Sequence, residues 1–218
     1  MAPAVRLREA VALSGRFPLL AGVSLEVAAG EVALVRGPNG AGKTSLLRLC
    51  AGLVPLHSGE AVVLGHDLAR DRWAVRRRVG LLGHHGFLYD ELTVEENLRY
   101  SLRAAGIEPS AAIPAAARLG LVGRLGATQV GRLSAGQRRR TALAVLVARD
   151  PELWLLDEPH AGLDQEARDL LDGLVLDARA RGRTILLCSH EHERAVALSD
   201  RVVDLAGGRS VGEPAHVA

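Results

Sequence analysis

The chain has 218 residues, of which 48% are hydrophobic and 24% charged, and its formal net charge is +2. These values indicate one domain, or one domain with a sizeable subdomain, and they argue against a nucleic-acid-binding role. Neither a signal peptide nor a membrane helix of roughly 18 uninterrupted apolar residues is expected.

Lysine and cysteine are both rare. Lys43 is the only lysine among the 27 basic residues, a bias that GC-rich codon usage explains better than a nucleic-acid partner. Cys50 and Cys188 lie in apolar stretches. We therefore expect two buried thiols in a reducing compartment rather than a disulfide.

The first third of the chain consists of short β segments. Apolar patterning and turn residues predict strands at 5–13, 23–27, 31–36, 60–65 and 79–83. A helix is predicted to begin at Lys43, because the apolar residues that follow it recur at helical spacing.

From about residue 90 the pattern is helical. A Thr-x-x-Glu capping box opens a predicted helix at 93–106, and a second helix is predicted at 134–150. The alanine-rich segment between them is broken by Pro109 and Pro114. We interpret about 90–150 as an inserted all-helical subdomain.

The last third returns to alternating strands and helices. Apolar runs predict strands buried on both faces at 152–158 and 184–190, each followed by a helix, and a Gly-Gly turn predicts a hairpin at 201–211. The predicted fold class is α/β, with a mostly parallel core sheet, an antiparallel β edge and the helical insertion.

A phosphate-binding pattern, "GPNGAGKT", lies between a predicted strand and a predicted helix. Its glycines allow successive N–H groups to point at phosphate oxygens, and the helix adds the positive end of its dipole. Lys43 is expected to reach the β- and γ-phosphates of ATP, and the Thr44 hydroxyl to bind Mg²⁺. A glycine-rich turn that merely precedes a helix is the alternative. The expected nucleotide contacts are Gly37, Pro38, Asn39, Gly40, Ala41, Gly42, Lys43, Thr44 and Ser45.

Three polar residues end the two buried strands. Asp157 is expected to hold Mg²⁺, and Glu158 to accept a proton from the attacking water. His190 is expected at the same sheet edge, where it could hydrogen-bond the γ-phosphate. The alternatives are helix capping for the two acids and a structural role for the histidine.

The ordered set "GPNGAGKT", "LSAGQ", "LWLLDE", "AGLD" and "SH" resembles the nucleotide-binding domain of ATP-binding cassette (ABC) ATPases over about residues 5–211. The resemblance implies a P-loop core at 1–89 and 151–218. It also implies a Walker A motif at 37–44, a Walker B motif at 153–157, Glu158 as the catalytic base and His190 as the switch histidine. The D-loop of that family corresponds to Ala161, Gly162, Leu163 and Asp164.

The family's signature turn corresponds to Leu133, Ser134, Ala135, Gly136 and Gln137. The resemblance implies that this turn faces the phosphate loop of a second copy, so that a homodimer sandwiches two ATP molecules. Ser134 could donate to the γ-phosphate at the positive end of the helix that begins there. Arg138 to Arg140 are expected to be a solvated helix face.

Two positions depart from the family pattern. His85 stands where a glutamine is usual, and it is a further candidate for the Mg²⁺, although imidazole is a poorer Mg²⁺ ligand than an amide oxygen. If His85 acts there, ATPase activity should fall more steeply below pH ~6.5 than in a His85→Gln variant, and matching pH profiles would contradict the idea. The adenine-stacking aromatic falls near Ser14, and the nearest aromatic, Phe17, is expected either to stack on the base or to lie in the core.

The details "LGHHGFLYDELTVEENLRY" and "WLLDEPHAGLD" are similar to the haem-exporter ATPases of cytochrome c maturation, and exporters of the ABC-2 type share most of them. The resemblance implies a peripheral bacterial subunit on the cytoplasmic face of the inner membrane. Integral membrane permease subunits would dock at 83–105. The rivals are a soluble ABC protein acting on ribosomes or DNA, a P-loop small-molecule kinase, and a metal or haem binder using "SHEH" or "HH".

Overall fold

A computed structural model describes residues 2–83 and 86–216. The strands are β1 (Val5–Ser14), β2 (Phe17–Val27), β3 (Val32–Arg36), β4 (Ser58–Val63), β5 (His66–Asp67), β6 (Val79–Leu82), β7 (Leu153–Asp157), β8 (Thr184–Cys188), β9 (Arg201–Ala206) and β10 (Arg209–His216). The helices are α1 (Lys43–Cys50), α2 (Leu68–Asp71), α3 (Val94–Ala105), α4 (Ala112–Arg118), α5 (Ala135–Arg149), α6 (Gln165–Ala180) and α7 (His192–Leu198). Across the described ranges, none of these helices has the length and apolar character needed to cross a membrane.

A six-stranded sheet with the order β10-β9-β3-β8-β7-β6 forms the centre of one compact unit, which comprises residues up to Leu81, Pro151–Pro159 and the residues from Val175 onward. β3 runs parallel to both β8 and β9, and β7 runs parallel to β8, whereas β10 pairs antiparallel with β9. Every residue of β7 and of β8 is buried, as expected for strands covered on both faces. The predicted parallel core is confirmed.

A second, antiparallel sheet in the same unit has the order β2-β1-β4-β5. Helix α1 lies between the sheets and contacts β7 and β8 on one side and β1 and β2 on the other. Strand β2 begins at Phe17, six residues before its predicted start at 23. The prediction began too late because Pro18 interrupts the apolar pattern. Proline is tolerated there because β2 is an edge strand of this sheet.

The other compact unit comprises Leu82–Asp150 and His160–Leu174, and α3, α4 and α5 pack together in it. The predicted capping box is present, since Thr93 accepts from the Glu96 N–H and Glu96 accepts from the Thr93 N–H. The expectation that Pro114 breaks the segment is wrong, because α4 continues through it. Pro114 lies in the first turn, where a helical N–H has no intrahelical partner to lose.

Both thiols are buried, as predicted. Burial raises the pKa of Cys50 to about 12. Burial, reinforced by the nearby Asp157 carboxylate, also holds the pKa of Cys188 well above its usual value. Neither side chain is therefore a nucleophile near neutral pH, and both act as small apolar groups of the core.

Candidate functional site

The loop 37–42 joins β3 to α1 at the carboxyl edge of the parallel sheet. A Cβ at Gly37 would lie 2.1 Å from the carbonyl oxygen of Leu205, so only glycine fits between the loop and β9. Gly42 caps α1 in a left-handed conformation (φ 102°), and no side chain caps the helix. The first N–H groups of α1 therefore remain available to an anion.

Lys43 is buried, with 7% of its surface exposed, and its ammonium group lies within the loop. Nζ donates to the Gly37 carbonyl oxygen at 2.7 Å and to the Pro38 carbonyl oxygen at 3.3 Å. A buried ammonium needs this hydrogen bonding, and carbonyl oxygens carry only partial charge. A phosphate would be a stronger partner at the same position.

Asp157 ends β7 and is almost fully buried. Its Oδ2 accepts from the Thr44 hydroxyl at 2.7 Å, which joins the end of the buried strand to the first turn of α1. The pairing follows from the sheet order, because the parallel strands β3, β8 and β7 end at one edge and the loop 37–42 crosses that edge.

Glu158 has a left-handed backbone (φ 46°), which is uncommon for a residue with a Cβ. Its N–H donates to the Cys188 carbonyl oxygen, and its Oε2 accepts from the His190 N–H, each at 2.9 Å. The Nε2 of His190 lies 3.3 Å from the other carboxylate oxygen, Oε1. The two side chains thus form a contact pair at the carboxyl ends of β7 and β8.

These residues line one cleft with a volume of about 400 Å³. Its lining residues are Pro18, Leu19, Asn39, Gly40, Ala41, Gly42, Lys43, Thr44, Ser45, Asp157, Glu158 and His190. The cleft thus contains most of the predicted nucleotide contacts and all three predicted strand-end residues. Pro18 and Leu19 were not predicted, because their only signal in the sequence is that they precede the "AGVSLEV" strand.

A neighbouring cavity of about 350 Å³ shares Asn39 and His190 with this cleft. It is lined by Arg36, Gly37, Pro38, Asn39, His190 and Asp204. Arg36 Nη2 donates to Asp204 Oδ2 at 2.9 Å, and this hydrogen bond lowers the pKa of the Asp204 carboxyl. The pair fixes the end of β3 just before the loop, and its partners lie too far apart in the sequence to be predicted as a pair.

Phe17 is 78% exposed. The expectation of a core role is therefore wrong, and base stacking stays a prediction. Phe17 adjoins Pro18, which lines the cleft, and Ser14 pairs with Phe17 across the β1–β2 hairpin.

The predicted signature turn lies in the second unit, at the start of α5. Ser134 caps this helix, accepting from the Gln137 N–H at 3.2 Å, while Gln137 Oε1 accepts from the Ser134 N–H at 3.0 Å. Ser134 and Ala135 are exposed. Since the Ser134 oxygen is the acceptor in the cap, its hydroxyl hydrogen is left to donate elsewhere.

The D-loop residues 161–164 lie in the same unit as the signature turn. A Cβ at Gly136 would lie 3.7 Å from the Gly162 carbonyl oxygen, so the D-loop adjoins the start of α5. Ala161, Gly162 and Asp164 are exposed, whereas Leu163 is buried, and Asp164 Oδ1 accepts from the Ala167 N–H at the start of α6.

The expectation of a solvated face at Arg138 to Arg140 is wrong, because all three are half-buried. Arg138 forms an ion pair with Asp90 at 2.6 Å, and Arg139 donates to the Gly83 carbonyl oxygen. These contacts hold the segment before α3 against α5. The remaining metal candidate, His85, lies outside the described residues.

His160 was also missed, although it follows Glu158-Pro159 directly. It is buried, and its Nε2 lies 2.9 Å from Asp172 Oδ1 on α6. Its carbonyl oxygen accepts from the Leu163 N–H, so the pair anchors the turn that carries the D-loop residues. A histidine and an aspartate twelve residues apart form no recognisable sequence motif, so the pair could not be predicted from the sequence.

The chain is similar to known proteins in both sequence and fold. A family profile described as ABC transporter matches residues 20–161. The cytochrome c biogenesis ATP-binding export protein CcmA of Shewanella sp. (strain MR-7) is 37% identical, covering 83% of this chain and 82% of that protein. The Nod factor export ATP-binding protein I of Rhizobium meliloti (strain 1021) is 38% identical over 91% of this chain, which spans only 60% of that protein.

Solved structures show the same fold. A dimeric post-hydrolysis state of an ATP-binding cassette bound to ADP and Pi superposes with a TM-score of 0.89. The match covers 98% of this chain and 99% of that chain at 23% identity.

Proposed function

This chain belongs to the ABC transporter family, and we propose that it binds and hydrolyses ATP to drive a separate membrane permease. Its sequence relatives and its fold are consistent with that family. The observation that carries the proposal is the single cleft that brings the phosphate loop, Asp157, Glu158 and His190 together.

The triphosphate binds along the loop 37–45. The uncapped start of α1 supplies N–H groups and positive dipole, and Lys43 exchanges its carbonyl partners for the phosphates. Phe17 stacks on the adenine from the entrance beside Pro18. This arrangement places the γ-phosphate towards Glu158 and His190.

Thr44 and Asp157 fit a magnesium ion. Both present hard oxygen donors, and the 2.7 Å contact between them shows that they approach one point. Few protein ligands suffice, because Mg²⁺ keeps several waters and takes phosphate oxygens as further ligands. When bound, the ion would neutralise charge on the β- and γ-phosphates.

Glu158 is the general base for the attacking water. The hydrogen bond from the His190 N–H and the hydrogen bond from its own N–H to Cys188 fix the position of the carboxylate at the strand ends. His190 lies beside it and is exposed enough to reach a phosphate oxygen, which fits a residue that positions both the base and the γ-phosphate.

The second half of each ATP site comes from another copy of the chain. Ser134 and Ala135 are exposed at the start of α5, and the D-loop residues are their neighbours. Together they offer hydroxyl and N–H donors on one surface of the second unit. A homodimer in which this surface meets the phosphate loop of the other copy would enclose two ATP molecules.

Mixed dimers test this shared site. Combining a Ser134→Ala chain with a Lys43→Ala chain gives one intact composite site and one site with both defects. If the sites are shared, the heterodimer regains about half of the wild-type turnover per dimer. An equal mixture, in which about half of the dimers are heterodimers, regains about a quarter, whereas each homodimer is inactive. Turnover no higher than that of the two separate variants would contradict the shared site.

The permease docks on the segment 83–105 at the cytoplasmic face of the inner membrane. Phe87 and Tyr100 are exposed there, and Tyr100 contacts Tyr89 edge to face at 5.0 Å. Asn97 is buried and holds the loop before α3, accepting from the Tyr89 N–H and donating to the Tyr89, Leu92 and Thr93 carbonyl oxygens. A rigid aromatic surface of this kind suits a protein interface.

The transported substrate is haem for cytochrome c maturation, as the similarity to the CcmA export protein suggests. The alternative is another ABC-2-type exporter, favoured by the comparable similarity to the Nod factor export protein. The ribosome- or DNA-directed class has less support, given the near-neutral net charge. Affinity purification of the Glu158→Gln chain from native membranes would identify the permease. Recovery of cytochrome c maturation proteins supports haem export, and recovery of a different permease contradicts it.

A further inference from the structure

A basic aromatic patch lies on the first unit, outside the nucleotide cleft. We call it the Trp73 patch; its members are Leu53, Arg70, Arg72, Trp73, Arg76 and Arg77. Trp73 is 57% exposed and Leu53 is 40% exposed. Between residues 70 and 77 the chain carries four arginines and one aspartate.

Trp73 is held firmly although it is exposed. The guanidinium carbon of Arg76 lies 3.6 Å from the ring centroid, and that of Arg72 lies 4.6 Å from it. Arg76 also donates to the Gly52 carbonyl oxygen at 3.1 Å, and Arg72 makes longer contacts to the Gly52 and Leu53 carbonyl oxygens. The ring is thus fixed by cation–π contacts whose cations are tied to the backbone.

The one acid within the run supplies a single negative charge against four arginines. Asp71 Oδ1 accepts from the Trp73 and Ala74 N–H groups and so caps the short 3-10 helix Ala74–Arg77. Arg70 lies 3.4 Å from Asp67, in a contact that leaves 88% of its side chain exposed, and Arg77 is exposed as well. The patch therefore presents net positive charge around an indole ring.

We infer that the Trp73 patch binds the anionic headgroup surface of a lipid bilayer directly. Tryptophan prefers the interface between water and acyl chains, where its apolar ring and polar N–H are both satisfied. Arginines beside it bind lipid phosphates, and each basic residue near an anionic leaflet adds affinity. A nucleic acid fits less well, because the guanidinium groups already cover the ring that would stack on a base.

This contact goes beyond the proposed transport function, which attaches the chain to the membrane only through a permease. It gives the subunit a second attachment point, in the first unit, that needs neither nucleotide nor protein partner. Its failure would leave the proposed hydrolysis untouched, because hydrolysis is measured without lipid.

The test is sedimentation of the purified full chain with protein-free vesicles, either phosphatidylglycerol-rich or made of phosphatidylcholine alone. The chain should partition onto the anionic vesicles and be released by roughly 1 M salt, where the Debye length is about 3 Å. Arg70→Gln/Arg77→Gln should lower the partition constant roughly 20- to 30-fold, at about fivefold per arginine. Trp73→Ala should lower it roughly tenfold or more.

The matched control is Arg118→Gln/Arg124→Gln, which removes the same charge from two exposed positions of the second unit. It should bind nearly as well as the wild type. Fluorescence gives a readout that needs no variant, because the other tryptophan, Trp154, is fully buried. On anionic vesicles the Trp73 emission should shift to the blue, and an aqueous quencher should lose access to it.

Four results would overturn the inference. Three of them are equal binding to neutral and anionic vesicles, equal loss in the patch variant and the control, and Trp73 emission that does not change on binding. Binding only to vesicles that carry a permease would also overturn it, by assigning the patch to a protein contact.

Discussion

Replacing Glu158 with glutamine separates its proposed chemistry from its structural role. Its carboxylate contacts His190 twice: Oε2 accepts from the His190 N–H at 2.9 Å, and Oε1 lies 3.3 Å from Nε2. A glutamine has the same length, and its amide oxygen can accept the same hydrogen bond. The hydrogen bond from the backbone N–H to Cys188 does not involve the side chain. The left-handed conformation is equally costly for glutamate and for glutamine, because each has a Cβ. The free energy of unfolding should therefore change by less than about 0.5 kcal/mol.

The loss of the base should be much larger. Removing a general base typically lowers the rate about 10²- to 10⁴-fold, which is about 3–5 kcal/mol at 1.36 kcal/mol per tenfold. The Glu158→Gln chain should thus bind ATP with unchanged affinity, hydrolyse it at least about 100-fold more slowly, and accumulate as an ATP-bound dimer. Phosphate release, binding of a fluorescent ATP analogue and gel filtration with ATP measure these three quantities.

A Glu158→Ala variant is the control for the structural contact, because it removes the base and the acceptor for the His190 N–H together. It should lose activity to the same degree and also lose stability, by about 1 kcal/mol. Hydrolysis at the wild-type rate in Glu158→Gln would exclude Glu158 as the base. Loss of ATP binding in the same variant would show instead that the carboxylate is needed to build the cleft.

Three further predictions follow from the described contacts. Gly37→Ala should lower the free energy of unfolding by about 1–3 kcal/mol or more in urea denaturation, because the new Cβ would overlap the Leu205 carbonyl oxygen. The control is Gly173→Ala on α6, which has open space around it and should be neutral or stabilising. Phe17→Ala should raise the KM for ATP roughly 5- to 150-fold with unchanged stability, since stacking is worth about 1–3 kcal/mol; an unchanged KM would contradict the stacking assignment. Arg78 lowers the pKa of the Glu152 carboxyl through a hydrogen bond, so the pair stabilises the fold above the ordinary value of 4.5 and loses this effect as the pH falls below it. Since both side chains are more than a third exposed, Glu152→Gln should cost less than about 1 kcal/mol at pH 7, and denaturation series should show the difference vanishing in acid; a constant difference would contradict the linkage.

Local patterns predicted the elements whose residues depend on their own neighbours in sequence. The apolar run before Asp157 is a fully buried strand, and the Thr93 box opens α3 as its spacing indicated. The same patterns failed where distant residues decide the outcome. Arg138 appeared to be a solvated residue because nothing near it in sequence reveals Asp90, and Phe17 appeared equally suited to the core because its pattern does not show that it lies at an exposed hairpin end.

The candidate site illustrates the same limit at Glu158. Residue order alone predicts that it follows the buried strand, but not that its backbone enters the left-handed region, which costs a residue with a Cβ about 1–2 kcal/mol. The structure offsets this cost with two hydrogen bonds to the neighbouring strand end, one to Cys188 and one from His190. Both partners lie some thirty positions later in the chain. The conformation that turns the carboxylate toward the cleft therefore depends on the pairing of β7 with β8, and a sequence pattern around Glu158 cannot encode it.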